Sequence, residues 1–405
     1  MPNIRASFGE LIQAGALEIG DGYRAKNSEL NGNGLPFMRA GNLTASGWNW
    51  EDLERFRSDL TSALAPKLSH AGDVVITTKG NSVGRSGYVN SKAPQFVYSP
   101  HLSFWRAKQR DRLAPRFLRY WAMSPEFLDQ LKALGHGTDM APYLSLTDQR
   151  RLRVSLPRIE AQETIGELLG ALDDKIAVND RIAECSLTLA DAHFNLAVEG
   201  VPIGPETFDS IAQVGGGGTP STKVPEYWDG NITWTTPSDV TALGAPYLFD
   251  TSRRITSAGL ENCASPLYPA GSIFMTSRAT IGAFAIPQVP MAANQGFIVV
   301  VTPDKELTTW LFHEMRDRVD EMRRLANGST FLELSRKNFK AMGVRLSTST
   351  ALKEFARKAI PLHQLAAAVT AESATLIKLR DTLLPELMSG RLRVKDVEKV
   401  VEEAI

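Results

Sequence analysis

Four glycines run into Thr-Pro-Ser-Thr-Lys in the stretch VGGGGTPSTK, residues 214–223. Glycine backbone N–H groups followed by a lysine are the parts of a nucleotide-phosphate loop. Such a loop reads G-x-x-x-x-G-K-[ST], follows a strand and opens a helix. Here there is no Gly-Lys pair, and Pro220 and Pro225 flank Lys223, so no helix is expected to open at the lysine. The dinucleotide pattern G-x-G-x-x-G is missing from any strand–helix context. The Asp/Asn-Pro-Pro-Tyr/Phe signature of adenine-amino methyltransferases is also missing, as are H-E-x-x-H and C-x-x-C. The six histidines, His70, His101, His136, His193, His313 and His363, lack ligand spacing and read as surface or satisfied core positions. Asp-Asp-Lys at 173–175 falls within a helical pattern, where a solvated charged face accounts for it. The expectation is therefore no catalytic residue and no metal ligand.

The 405 residues suffice for two or more domains with sizeable cores. Acidic and basic residues balance at 45 each, which argues against a simple polycationic nucleic-acid binder. Local basic stretches do occur, RAKQRDRLAPRFLR at 106–119 and RRLR at 150–153. Two cysteines, Cys185 and Cys263, build no disulfide framework, which fits a reducing cytoplasm. The opening MPNIRASFGELIQ lacks the charged and apolar regions of a secretion signal. No apolar run approaches the roughly 20 residues of a membrane helix.

The chain is written twice. Residues 154–200 lie on residues 344–390 at a constant offset of 190 without a gap: Val154 meets Val344, Leu172 meets Leu362, Leu189 meets Leu379 and Gly200 meets Gly390. In the first copy apolar residues recur at Ile165, Leu168/Leu169, Leu172, Ile176, Ile182, Leu189 and Phe194. In the second they recur at Phe355, Ala359, Leu362, Leu365/Ala366, Val369, Leu376, Leu379, Leu383 and Leu387. That is a heptad-like seam on a helix of about 35 residues, roughly 50 Å long. One helix cannot bury its stripe alone; two can, by packing on each other. Pro385 is expected to kink or end the second helix. Asn179 leaves a polar gap in the first seam, read as a solvated edge, with register-setting as the alternative.

The segments before each helix also match. Residues 20–43 align with 217–240 at offset 197, setting Lys26 on Lys223, Glu29 on Glu226, Phe37 on Trp234 and Asn42 on Asp239. Residues 71–89 match 270–286, each running from Ala-Gly through a β-rich stretch to a turn at Gly84 or Gly282. Residues 136–154 resemble 327–344. The order is globular, helix, globular, helix. The globular parts read as mixed α and β (α+β), with short strands between Gly-, Pro-, Asn- and Ser-rich turns and added helical stretches at 116–133 and 306–325.

This organisation resembles the specificity (S) subunit of type I restriction-modification systems. GGTPSTKVPEYWDGNITWTTPSDV at 217–240 is similar to the opening of a target recognition domain, and LPRIEAQETIGELLGALDDKI at 156–176 to the start of the central helix. LIKLRDTLLPELMSGRLRV at 376–394 resembles the family's C-terminal signature. The resemblance spans residues 9–394; the first domain departs from it, with GDGYRAKNSEL in place of the Gly-Gly-Thr-Pro form. It implies recognition domains at 1–157 and 199–346, a central helix at 158–198, a C-terminal helix at 347–391 and a tail at 392–405, with the helices packed as an antiparallel coiled coil in a pseudo-twofold repeat.

The resemblance further implies a non-catalytic subunit that reads a bipartite target on double-stranded DNA. Its partners would be two methyltransferase (M) subunits carrying S-adenosylmethionine and restriction (R) subunits carrying ATP and Mg²⁺. The runner-up is a coiled-coil scaffold whose domains bind protein. Loop residues able to donate to phosphates or base edges are Lys26, Arg39, Lys79, Asn81, Ser82 and Arg85 in the first domain. In the second they are Thr222, Lys223, Ser277, Arg278, Thr280 and Lys337. Tyr227, Trp228, Trp234 and Phe37 read as core aromatics.

A helix of about 50 Å exceeds one DNA turn of about 34 Å, which suits a ruler between half-sites. Inserting one heptad into both helices is then expected to lengthen the unspecified spacer in a methylation-site assay. An unchanged spacer removes the ruler.

Overall fold

The structure, a computed structural model, describes residues 4–44, 47–135, 143–328, 332–394 and 396. The chain divides into two compact units. One takes the chain up to Asp174 and again from Leu376; the other is Lys175–Thr375. His136, the first part of the 136–154 repeat and most of the 392–405 tail lie outside the described residues.

The first unit is built on an antiparallel sheet in the order Leu17–Asp21, Leu102–Ala107, Val74–Thr77, Ser86–Tyr88. Successive strand residues point to opposite faces, and both faces are covered. Val74, Ile76 and Trp105 join a core with Phe8, Trp121 and Phe127. Val75, Leu102 and Phe104 join a second core with Phe96 and Tyr98. The helical stretch expected at 116–133 is two helices, Pro115–Trp121 and Pro125–Gly135.

The second unit repeats this plan with Gln213–Gly216, Phe297–Val301, Ile273–Thr276 and Phe284–Pro287, extended by Tyr247–Leu248. Ile273, Met275, Ile298 and Val300 face one core, and Phe274, Phe297 and Val299 the other. Here too the expected helix at 306–325 is two, Lys305–Asp317 and Val319–Arg324.

Each unit closes on its own start. Strand Ile4–Ser7 pairs antiparallel with Arg153–Leu156, immediately before the central helix. Ser7 then caps helix Phe8–Gln13, accepting from the Glu10 N–H at 3.1 Å. In the second unit Gly204 N–H donates to Val344 O at 3.1 Å, and Val344 N–H to Glu206 O at 2.9 Å.

The long helices are Ile159–Val198 and Ser349–Ser389, of 40 and 41 residues. The C-terminal helix runs through Pro361 and past Pro385 without ending there. The stop comes instead at Gly390, with φ +74°, as the central helix is followed by Gly200 at +72°. The helices are antiparallel. Within the second unit Asn179 donates to Glu372 at 2.9 Å while the rings of Phe194 and Phe355 meet at 5.7 Å. The seam differs from the expected one beyond Asn179. Ala183, Leu187 and Ala190 are buried, whereas Leu189 and Leu379 are 48% and 44% exposed. The buried steps run four, four, three and four from Asn179 through Ala183, Leu187 and Ala190 to Phe194. Ile182 and Leu189 each stand one residue before Ala183 and Ala190, at the edge of that face.

Two polar positions also differ from expectation. Asn179 is fully buried. Asp173 is no solvated charge: Arg119 and Arg380 lie 2.6 and 2.7 Å from its oxygens, and Tyr120 donates to it at 2.7 Å.

A buried polar chain ties the second unit together. Asp191 meets His313 Nδ1 at 2.6 Å, His313 Nε2 meets His363 Nε2 at 2.9 Å, and His363 Nδ1 meets the Tyr247 hydroxyl at 2.9 Å. Arg316 donates to the other Asp191 oxygen at 2.9 Å. Burial lowers the pKa of both imidazoles, and the facing His313 and Arg316 help bring His363 to about 3. Burial works to raise the Asp191 carboxyl, but His313 and Arg316 outweigh it and hold it below its ordinary value. An unfolded histidine titrates near 6.5, so the unfolded chain binds more protons below that pH. Stability is full above about pH 6.5 and is lost as pH falls toward the folded value. The melting temperature is expected to fall from pH 7 to pH 5, and His363→Gln to flatten that fall. Parallel pH profiles for the two proteins would refute it.

Candidate nucleic-acid interface

In each unit a sheet strand ends in a threonine whose hydroxyl clamps the loop after it. Thr77 Oγ1 donates to Ser82 O and accepts from the Arg85 N–H at 3.1 Å. Thr276 Oγ1 donates to Thr280 O and accepts from the Ala283 N–H at 3.0 Å. Both loops turn through a glycine of positive φ, Gly84 at +86° and Gly282 at +92°. These glycines donate back to Thr77 O and Thr276 O at 2.9 and 3.0 Å. A Cβ at Gly84 would fall 2.1 Å from Leu131, and one at Gly282 2.5 Å from Val319.

The clamp turns the expected contact residues outward. Lys79, Asn81 and Arg85 are exposed in the first loop, as are Arg278 and Thr280 in the second; Ser82 is half-buried. Arg85 donates to Leu43 O at 2.7 Å. Lys79 and Arg278 occupy matching places, each bridged to a returning segment, at Tyr143 and Glu333 respectively. Arg278 also pairs with the Glu333 carboxylate at 2.8 Å. Ser277 differs from its neighbours: it is 3% exposed, and its backbone is wedged between Gly296 and Leu334. Its partner Thr78 is wedged in the same way between His101 and Leu144. Lys337 is exposed on helix Arg336–Lys340, which Ser335 caps.

The glycine run proves to be a packing device. The Gly217 backbone passes so close to a neighbouring segment that a Cβ would lie 1.9 Å from Ala293 O; at Gly22 it would lie 2.0 Å from Ser99 O. The strand ladder sets Gly20 opposite Phe104 and Gly215 opposite Val299. The offset is thus 195 on the strand, and two added residues in the second loop restore 197 further on. There Arg39 N–H donates to Asn42 Oδ1 at 2.9 Å and Thr236 N–H to Asp239 Oδ2 at 2.8 Å, equivalent caps at the aligned positions. Partial burial works to raise the Asp239 carboxyl, but hydrogen bonds from Thr236 and Ser252 hold it below its ordinary value.

Lys26, Thr222 and Lys223 are exposed beside these loops. Arg39 is exposed, paired with Glu54 at 2.5 Å and lying 4.9 Å over the Phe37 ring. Phe37, Trp228 and Trp234 are buried. Sequence reasoning missed Arg253, whose guanidinium lies 3.6 Å over Trp228; the strand register that brings them together leaves no local signal. The basic stretch at 106–119 is largely neutralised internally: Arg106 pairs with Asp73 at 2.7 Å, Arg116 with Asp174 at 3.0 Å and Arg119 with Asp173 at 2.6 Å. Among the described residues no group of three or more His, Cys, Asp or Glu gathers as for a metal, and no helix is long and apolar enough to cross a membrane.

The type I restriction modification DNA specificity domain matches twice, over residues 14–184 and 206–350. The chain belongs to that family. It is 35% identical over 136 residues to the type I restriction enzyme MjaIX specificity subunit of Methanocaldococcus jannaschii, covering 33% of this chain and 32% of that one. This match thus spans about a third of that relative's length. To the HindI specificity subunit of Haemophilus influenzae it is 20% identical, covering 81% and 88%. Its fold is similar to the crystal structure of a type I restriction-modification S subunit from M. genitalium, with TM-score 0.57, 14% identity and 95% of both chains covered.

The clamped loops tolerate no side chain at their glycines. Gly282→Ala adds the strain of a left-handed residue, about 1–2 kcal/mol, to a clash with Val319. It is expected to lower the melting temperature by several degrees. Gly244→Ala, where a Cβ would meet nothing within 4 Å, is expected to leave it unchanged. Equal melting of the two variants would refute the clamp.

Proposed function

We propose that this chain is the DNA-reading specificity subunit of a type I restriction-modification complex, each unit reading one half of a bipartite target. The observation that carries this reading is the pair of clamped loops. Both are built from the same threonine and glycine, yet they turn different donors outward: Lys79, Asn81 and Arg85 in one, beside the half-buried Ser82, and Arg278 and Thr280 in the other. Cationic and amide donors of this kind bind phosphates and base edges. One scaffold with two sets of donors is what a target of two unlike halves requires. Lys26, Arg39, Thr222, Lys223 and Lys337, all exposed, are the further donors in this reading.

In this reading the chain has no catalytic group of its own and works in the cytoplasm. Two methyltransferase subunits bring S-adenosylmethionine, and restriction subunits bring ATP and Mg²⁺. The relatives named as specificity subunits of type I restriction enzymes support the assignment.

Mapping methylated adenines in cells that express the chain with its methyltransferase is expected to reveal a two-part motif. Arg278→Ala is expected to relax one half only, at a cost of about 1–3 kcal/mol if it reads a base. Equal loss at both halves would contradict the division between units, and no motif at all would contradict DNA reading.

A further inference from the structure

The second unit presents an arginine on a shelf of indole rings. Strand Trp228–Thr235 pairs with Arg253–Ile255 so that Trp234 stands opposite Arg253. The Arg253 guanidinium lies 3.6 Å over the Trp228 ring and 5.7 Å from that of Trp234, and the two rings meet edge-on at 5.1 Å. Both indoles are fixed to the glycine loop: Trp228 Nε1 donates to Ser221 O at 3.1 Å and Trp234 Nε1 to Gly218 O at 3.0 Å. The shelf is thus tied to the loop that carries Thr222 and Lys223. Arg253 is exposed, and among the described residues no carboxylate or carbonyl pairs with its guanidinium.

The first unit supplies a comparison. Phe37 holds the place of Trp234, since each pairs in parallel with a short strand, at Val97 and at Ala292. Phe37 N–H donates to Glu54 O at 2.8 Å, so Glu54 stands where Arg253 does. There the guanidinium over the ring comes from Arg39, and Glu54 neutralises it. Both units place a guanidinium over the ring at this shared position; the second adds Trp228 beneath it and leaves its charge and N–H edge open. A stacked guanidinium is ordered before a ligand arrives, and its planar fork suits two acceptors at once.

We propose that Arg253, held on Trp228 and Trp234, contacts DNA from the second unit, taking a pair of acceptors from a guanine edge or a phosphate. This rests on the DNA-reading function above. The test uses the full chain assembled with a methyltransferase, the methylation motif mapped in cells, and a duplex carrying that motif for binding across a salt series. Arg253→Ala, at an exposed site, is expected to keep the wild-type melting temperature and to bind about tenfold or more weakly. If the acceptor is guanine, one position in one half-site becomes degenerate and Arg253→Lys does not rescue. If it is a phosphate, all sequences weaken alike, the salt slope falls by about 1 and Arg253→Lys restores most of the binding. Wild-type affinity, motif and salt slope in Arg253→Ala would overturn the proposal and leave DNA reading intact. A wild-type chain that directs no motif and binds no duplex would overturn DNA reading itself.

Discussion

A 40-residue helix with an apolar stripe along one side has no interior of its own. It must set that stripe against another or leave it in water. The second helix supplies the matching stripe in antiparallel sense. The globular residues then complete the same cores: Leu169 and Leu387 share one with Trp121 and Phe127, and Phe194 and Ala359 share another with Trp310 and Met315. The globular parts are therefore fastened to the helices by packed cores.

Within each stripe, polar groups decide which alignment is accepted. Asn179 is fully buried, donates to Glu372 and has no partner for its Oδ1 among the described residues. An unpaired buried acceptor costs about 1–3 kcal/mol, set against the bond to Glu372. Any shift of the helices that parts Asn179 from Glu372 would lose that bond. Asp173 acts similarly in the first unit, where Arg380 comes from the C-terminal helix and Arg119 and Tyr120 from the globular part. One carboxylate thereby joins three elements, and any shift that parts it from its cations leaves a charge uncompensated.

The repeat was legible because it is written at fixed spacing: the 190-residue offset, Gly200 with Gly390, and Asn42 with Asp239 all fall on equivalent structure. What the sequence hid has a common cause. The burial of Asp173 and Asn179, the internal pairing of Arg106 and Arg119, and the chain from Asp191 through His313 and His363 to Tyr247 each depend on residues far apart in sequence. A charge run reads as solvated surface until the carboxylates that meet it are known. The seam beyond Asn179 was misread for the opposite reason, because leucines drew the count away from the buried Ala183 and Ala190.

The two units also indicate why such domains diverge in sequence while keeping a fold. The scaffold's demands fall on few positions: a threonine at the strand end, a glycine where the loop turns left-handed, a glycine where backbones nearly touch, and alternating apolar strands. Almost everything the loops turn outward is free to change. The aromatic shelf shows how far that freedom extends. A guanidinium lies on the ring at position 37 and on the ring at position 234, yet it reaches one from residue 39 and the other from the opposing strand. Where the opposing strand carries Glu54 the charge is cancelled, and where it carries Arg253 the charge is displayed. Exchanges at these two positions thus change what the surface offers while the paired strands stay the same.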